Sequence, residues 1–156
     1  MRVLGVVTGF TVLAACPALA TDVTFQGTLS GVCTLAVPTP GLLGLNASGE
    51  LTSEPPAGLS AIVTVLSIGS NQLTIDPPVW AAATPVGYDA TGEDLLVSYL
   101  GVGGLSIANQ AFTDTQTSVN INSLPLTALT VNAKVTNPNG FAAGNYALKV
   151  VVTCAP

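Results

Sequence analysis

Apolar residues recur at every second position along this chain, and nowhere do they sustain the 3.6-residue spacing of a helix. Val23, Phe25, Leu29, Cys33, Leu35 and Val37 fall on odd numbers, with Gly27 and Gly31 on the same parity. Thr24, Gln26, Thr28, Ser30 and Thr34 occupy the even ones. Successive strand side chains point to opposite faces of a sheet. The pattern therefore describes one half-buried strand, or two strands broken at Gly31, ended by Pro38-Thr39-Pro40-Gly41. The far end of the chain repeats the theme. Leu129, Val131, Ala133 and Val135 alternate with Thr130, Asn132, Lys134 and Thr136, and Asn137-Pro138-Asn139-Gly140 turns the chain. Tyr146, Leu148, Val150, Val152 and Cys154 then share even parity in a final strand.

Between these ends, residues 42–45 form a short apolar piece and residues 46–58 a polar loop containing Pro55-Pro56. Residues 61–68 (AIVTVLSI) are apolar on both parities, which predicts a central strand covered on each side. Gly69-Ser70-Asn71 predicts a turn, and residues 72–75 a short strand stopped by Pro77-Pro78. A loop around Thr91-Gly92, a strand over 95–100 and an edge strand over 119–122 complete the pattern. About seven or eight short strands with turn signals between them predict an all-β chain, an antiparallel immunoglobulin-like β-sandwich. A transmembrane β-barrel also alternates, but it needs aromatic girdles at both interfaces. Aromatic residues are only 5% of this sequence, and it closes on Cys154-Ala155-Pro156.

Residues 1–20 read as a signal peptide. Arg2 is a minimal positive region, residues 3–15 are an uncharged apolar run, and Pro17 precedes the small-residue cleavage site Ala18-Leu19-Ala20. Leu13-Ala14-Ala15-Cys16 also has the form of a bacterial lipobox, which makes Cys16 a candidate lipidation site. Both routes predict an exported chain, placed in the periplasm, at the cell surface or outside the cell. Residues 21–156 then form a single domain whose remaining cysteines are Cys33 and Cys154. In an oxidising compartment these two most simply pair, and both carry the inward parity of their strands. The alternative is two separate buried thiols.

Charge narrows the function classes. Without Arg2 the basic residues are Lys134 and Lys149 against 8 acidic ones, a net charge of 2 − 8 = −6. Nucleic acid needs a basic patch that this composition does not supply, and an anionic membrane surface is disfavoured for the same reason. A lipid on Cys16 is the one membrane attachment the sequence offers. The count of histidines is 0, which removes the commonest general base and metal ligand together and makes a Ser–His–Asp triad impossible. No cofactor or metal is expected, and a catalytic role is disfavoured.

Val23-Thr24-Phe25-Gln26-Gly27-Thr28, with Cys33 eight residues after Phe25, resembles the opening strand of chaperone–usher pilins. Leu124-Pro125-Leu126, the strand over 129–135, Ala143-Gly144-Asn145-Tyr146 and the closing strand 147–153 resemble their last two strands. Cys33-Thr34 and the turn Pro38-Thr39-Pro40-Gly41 look like those of exported bacterial pilin-like proteins. The resemblance implies a fimbrial subunit of immunoglobulin-like fold that lacks a final strand and accepts one from a partner by β-strand addition. Its implied partners are a periplasmic chaperone or other surface subunits. Two features depart from the pattern. Only Thr21-Asp22 stands between the cleavage site and the Val23 strand, too little for a donated extension. The pilin disulfide joins neighbouring early strands, whereas the matching position in the central strand is Ser67. Both point to a terminal subunit or a self-complete sandwich more than to a repeating shaft subunit.

Two local clusters remain. Asp89, Glu93 and Asp94 are the only acidic grouping, and their spacing fits a solvated turn better than any calcium loop. Trp80 with Tyr88, and Tyr99 further along, offers either a stacking platform for a sugar or peptide or a lid over the core. The leading expectation is a non-catalytic cell-surface structural or adhesion protein acting through β-edge contacts. The other is a lipid-anchored or periplasmic binding module for a small ligand or glycan, built on Trp80 and Tyr88.

Overall fold

The computed structural model describes residues 32–102, 109–122 and 126–156. The expected leader 1–20, Cys16 within it, the alternating stretch 21–31 and the Leu124-Pro125 pair lie outside the described residues. Those described form twelve strands and no helix: β1 Val32–Thr39, β2 Gly44–Leu45, β3 Leu51–Thr52, β4 Ala61–Ile68, β5 Ser70–Ile75, β6 Val79–Trp80, β7 Asp94–Val102, β8 Gln110–Thr113, β9 Thr117–Asn122, β10 Thr127–Thr136, β11 Leu148–Lys149 and β12 Val152–Ala155. All pairings are antiparallel.

The main sheet is built on β4 and β10. β1 lies on one side of β4, with Cys33 opposite Ser67 and Leu35 opposite Val65. β10 lies on the other, with Leu129 opposite Val63. β7 then runs the length of β10, from Ala128 opposite Val102 to Thr136 opposite Asp94, and β8 follows at its edge. Beyond the end of β4, β10 takes up β3 instead, and β3 carries β2. A second sheet has the order β12-β5-β9, with Thr153, Thr74 and Ser118 in one row. Gly69 makes the crossing between sheets. Its φ of 83° is a conformation that costs glycine little, and it lets β4 end and β5 begin within one residue.

Alternation accounts for the core. Val63, Val65, Val97, Tyr99, Leu129 and Val131 from the main sheet meet Leu73, Ile75 and Ile121 from the second. Leu73, Ile75, Val65, Val97 and Leu129 are fully buried. Each such side chain contributes about 1.5–3 kcal/mol of transfer free energy. Cys33, Leu35, Val152 and Cys154 close one side of this core, where the edges of the two sheets approach.

Several expectations change in detail. β4 has the expected span, but only Val63, Val65 and Ser67 on its odd parity are buried, while Leu66 on the other face is 36% exposed. Its apolar even positions therefore do not mark a second covering layer among the described residues. The final strand keeps its even inward parity but divides, because β11 pairs with β6 and β12 with β5. The strand count rises to twelve because β2, β3, β6 and β11 are two-residue pieces too short for a periodic signal. β3 sits inside the stretch expected to be a loop. Leu51, Thr52 and Ser53 are buried there, and Ser53 exchanges two hydrogen bonds of 2.9 Å with the Ala133 backbone: its N–H donates to the Ala133 carbonyl, and its Oγ accepts the Ala133 N–H.

Candidate functional site

The two sheets do not close against each other on the β1 side. Among the described residues β1 pairs with β4 alone and β12 with β5 alone, so each is an edge strand. The Cys33–Cys154 disulfide joins these two edges, with the Cα atoms 6.0 Å apart. From that point β1 runs on through residues 35–37, while the chain leading into β12 runs back through 152–150. Between them opens a groove of about 740 Å³. Val63 and Val131 form its floor, and Leu42, Leu43 and Leu148 continue the apolar lining. Ser53, Lys149 and Tyr146 bring polar side-chain groups to it. Val37 is 59% exposed and Val151 39%, so apolar surface is open where the strand edges stand free.

This geometry has a definite chemistry. An edge strand presents backbone N–H and C=O groups with no partner in its own sheet, and an apolar trough beside it receives alternate side chains of an added strand. Lys149 stands at the rim with no ion pair among the described residues, whereas Lys134 is held 3.6 Å from Glu50 and lies 4.6 Å above the Phe112 ring. The groove was not legible as a site in the sequence. Its signal was the inward parity shared by Leu35, Leu148, Val150 and Val152, which reads equally as ordinary core.

Trp80 and Tyr88 do come together, edge to face, with ring centroids 5.8 Å apart. Phe141 and Tyr146, which sequence reasoning missed, complete the cluster: Tyr88 stacks on Phe141 at 5.9 Å and meets Tyr146 at 5.4 Å. The polar ends are spoken for. Trp80 Nε1–H donates to Glu93 Oε1 at 3.0 Å, and Tyr88 O–H donates to the other oxygen of the same carboxylate. Burial, with the Glu93 hydrogen bond second, pushes the Tyr88 hydroxyl up to about 12. The rings are half-buried and pack on one another, pinning the loop after β6 to the loop after β10. Tyr146 also lines the groove, so this cluster forms one of its ends. Tyr99 is elsewhere, 2% exposed in the main core with its O–H donating to Thr117 Oγ1 at 3.0 Å.

The acidic grouping is dispersed. Asp89 Oδ1 accepts the Thr91 N–H at 3.0 Å, which holds its exposed carboxyl below the usual range. Glu93 serves the aromatic cluster, and Asp94 Oδ2 accepts from the Thr136 hydroxyl at 3.4 Å. Among the described residues no group of three His, Cys, Asp or Glu side chains is placed to hold a metal. No helix among them is long and apolar enough to cross a membrane.

No protein-family model and no curated protein sequence matches this chain. Among solved structures, it is similar to the crystal structure of the infectious bursal disease virus VP2 subviral particle, at 14% identity and a TM-score of 0.38. That alignment covers 89% of this chain and 36% of the viral one.

Proposed function

We propose that this chain is an exported, non-catalytic structural or adhesion protein of the bacterial cell surface. In this reading it is an immunoglobulin-like β-sandwich of the pilin type, acting through β-edge contacts with a periplasmic chaperone or a neighbouring subunit. The groove between β1 and β12 carries the proposal, because it joins strand edges that have no partner among the described residues to an apolar trough. The disulfide supports export, since such bonds persist in oxidising compartments. The engagement of the Trp80 and Tyr88 polar groups by Glu93 favours β-edge contact over a ligand platform on those rings.

A fluorescent ten-residue peptide of alternating valine and threonine, added to the full chain, tests the reading by polarisation. Saturable binding that Val37→Arg abolishes supports it, because Val37 lines the groove and is 59% exposed. No binding at millimolar peptide to the full chain overturns it.

A further inference from the structure

We infer that the partner offers this groove the free end of a strand, apolar at every second position and carrying a carboxylate that meets Lys149. This rests on the strand-acceptor reading and names the chemistry of what is accepted.

Backbone decides between a strand and an alkyl ligand. In an antiparallel ladder the N–H and C=O groups of a strand point alternately to its two sides. Those of β1 that point away from β4, and those of β12 that point away from β5, have no ladder partner among the described residues. A lipid chain in the trough would cover these groups and bond none of them, which is costly. A strand fills the trough and bonds them as well. Leu35 and Val37 along one edge, with Val150 and Val152 along the other, then receive its alternate side chains, so those must be apolar.

The disulfide closes one end of the seat. Neighbouring strands lie about 4.8 Å apart, so a strand seated between two edges holds them about 9.6 Å apart. At Cys33 and Cys154 the Cα atoms are 6.0 Å apart. The seated strand therefore stops short of that bond. An internal strand of a partner, which must continue straight at both ends, does not fit. A strand with one free end does.

Charge selects among such strands. The sequence holds 3 Lys and Arg against 8 Asp and Glu, yet the described residues lining the groove include no acid and one base, Lys149. Lys149 is exposed and has no ion pair among the described residues, whereas Lys134 is held by Glu50. Leu148 and Val150 take the inward parity, so Lys149 between them takes the outward one. The matching carboxylate thus belongs to an outward-facing residue of the seated strand, where an ion pair adds selectivity without burying charge.

Fluorescence polarisation with the full chain tests both features. In the ten-residue valine–threonine peptide each threonine is replaced in turn by glutamate or by lysine. At one threonine, or two neighbouring ones, the glutamate peptide should bind about three- to fivefold more tightly than the lysine peptide in low salt. That preference runs against the chain's net negative charge, and it should vanish at about 1 M salt. In Lys149→Glu it should invert. Fusing the tightest peptide directly to a folded carrier protein through one terminus should keep its affinity, and through the other should weaken it at least tenfold. Binding with no preference for glutamate at any position, or equal affinity of the two fusions, overturns the inference while leaving strand acceptance standing. Absence of binding by every peptide removes strand acceptance itself.

Discussion

Cys33 stands directly opposite Ser67 across the β1–β4 pair, yet its sulfur is bonded to Cys154, 121 residues away on an edge of the other sheet. A bond to position 67 would tie two strands already held by backbone hydrogen bonds. The bond that forms ties two edges that share no ladder. It therefore closes the chain where β-pairing does not, and it sets the end of the groove.

Cys154→Ser should consequently cost more than an ordinary core substitution. Closing a loop of this length corresponds to about 5 kcal/mol in the chain-entropy model, and 2–5 kcal/mol is the usual range for small exported domains. Urea titration of the oxidised chain, the reduced chain and the variant checks this. The last two should share a midpoint well below the first.

Gly44→Ala should destabilise the β2–β3 pair, which lies between groove-lining Leu43 and Ser53. A Cβ at position 44 would collide with the carbonyl group of Ala57, and backbone cannot swing aside as a side chain can. Overpacking of this kind costs about 1–3 kcal/mol. Because β3 hangs from β10 through the Ser53–Ala133 hydrogen bonds, exchange should rise at residues 51–53 before it rises in β7.

Tyr88 should titrate well above an ordinary tyrosine when absorbance at 295 nm is followed. Its hydroxyl is raised to about 12 chiefly by burial, so Glu93→Gln should leave it still above the ordinary 10.0. The sign follows from linkage. Between pH 10 and 12 the unfolded chain releases this proton and the folded chain keeps it, so stability falls as pH rises through that window and is complete below it. The single tryptophan, Trp80, reports any loosening of the cluster by fluorescence.

How far the sequence reveals this structure depends on length of pattern. β10 is legible because ten residues of alternation leave one reading, whereas the eight-residue apolar run of β4 marks its span but not which face is buried. β3 and β11 are two residues each, and their pairing is decided by what β10 and β6 leave open, which no local pattern encodes. The disulfide was legible from parity and compartment together. The groove was not, because Leu148 and Val152 show the same alternation whether a neighbouring strand covers them or leaves them open. Tyr146 likewise reads as the start of a strand, and its place beside Trp80, 5.7 Å between centroids, depends on the β6–β11 pairing.

Asn71→Asp is expected to be among the most damaging single-atom changes in the chain. Asn71 is 4% exposed, and its Nδ2 donates at 2.7 Å to Ser67 Oγ, at 3.1 Å to the Ile68 carbonyl and at 3.4 Å to the Val32 carbonyl. Among the described residues its buried Oδ1 has no partner, so the side chain works there as a donor alone. It binds the turn between β4 and β5 to the first residue of β1. A carboxylate there would face three acceptors with no proton to offer, whereas Asn71→Ala merely deletes the donor. The alanine variant should lose about 1–3 kcal/mol at any pH. The aspartate variant should lose more at pH 7, and should recover part of it on acidification. Burial among acceptors raises the introduced carboxyl above its unfolded value, so the folded state binds the proton first and stability falls as pH rises through that range. Thermal melts of the three proteins at pH 4 and pH 7 read this directly. A pH-independent loss in the aspartate variant would mean that Asn71 does not act there as a buried donor.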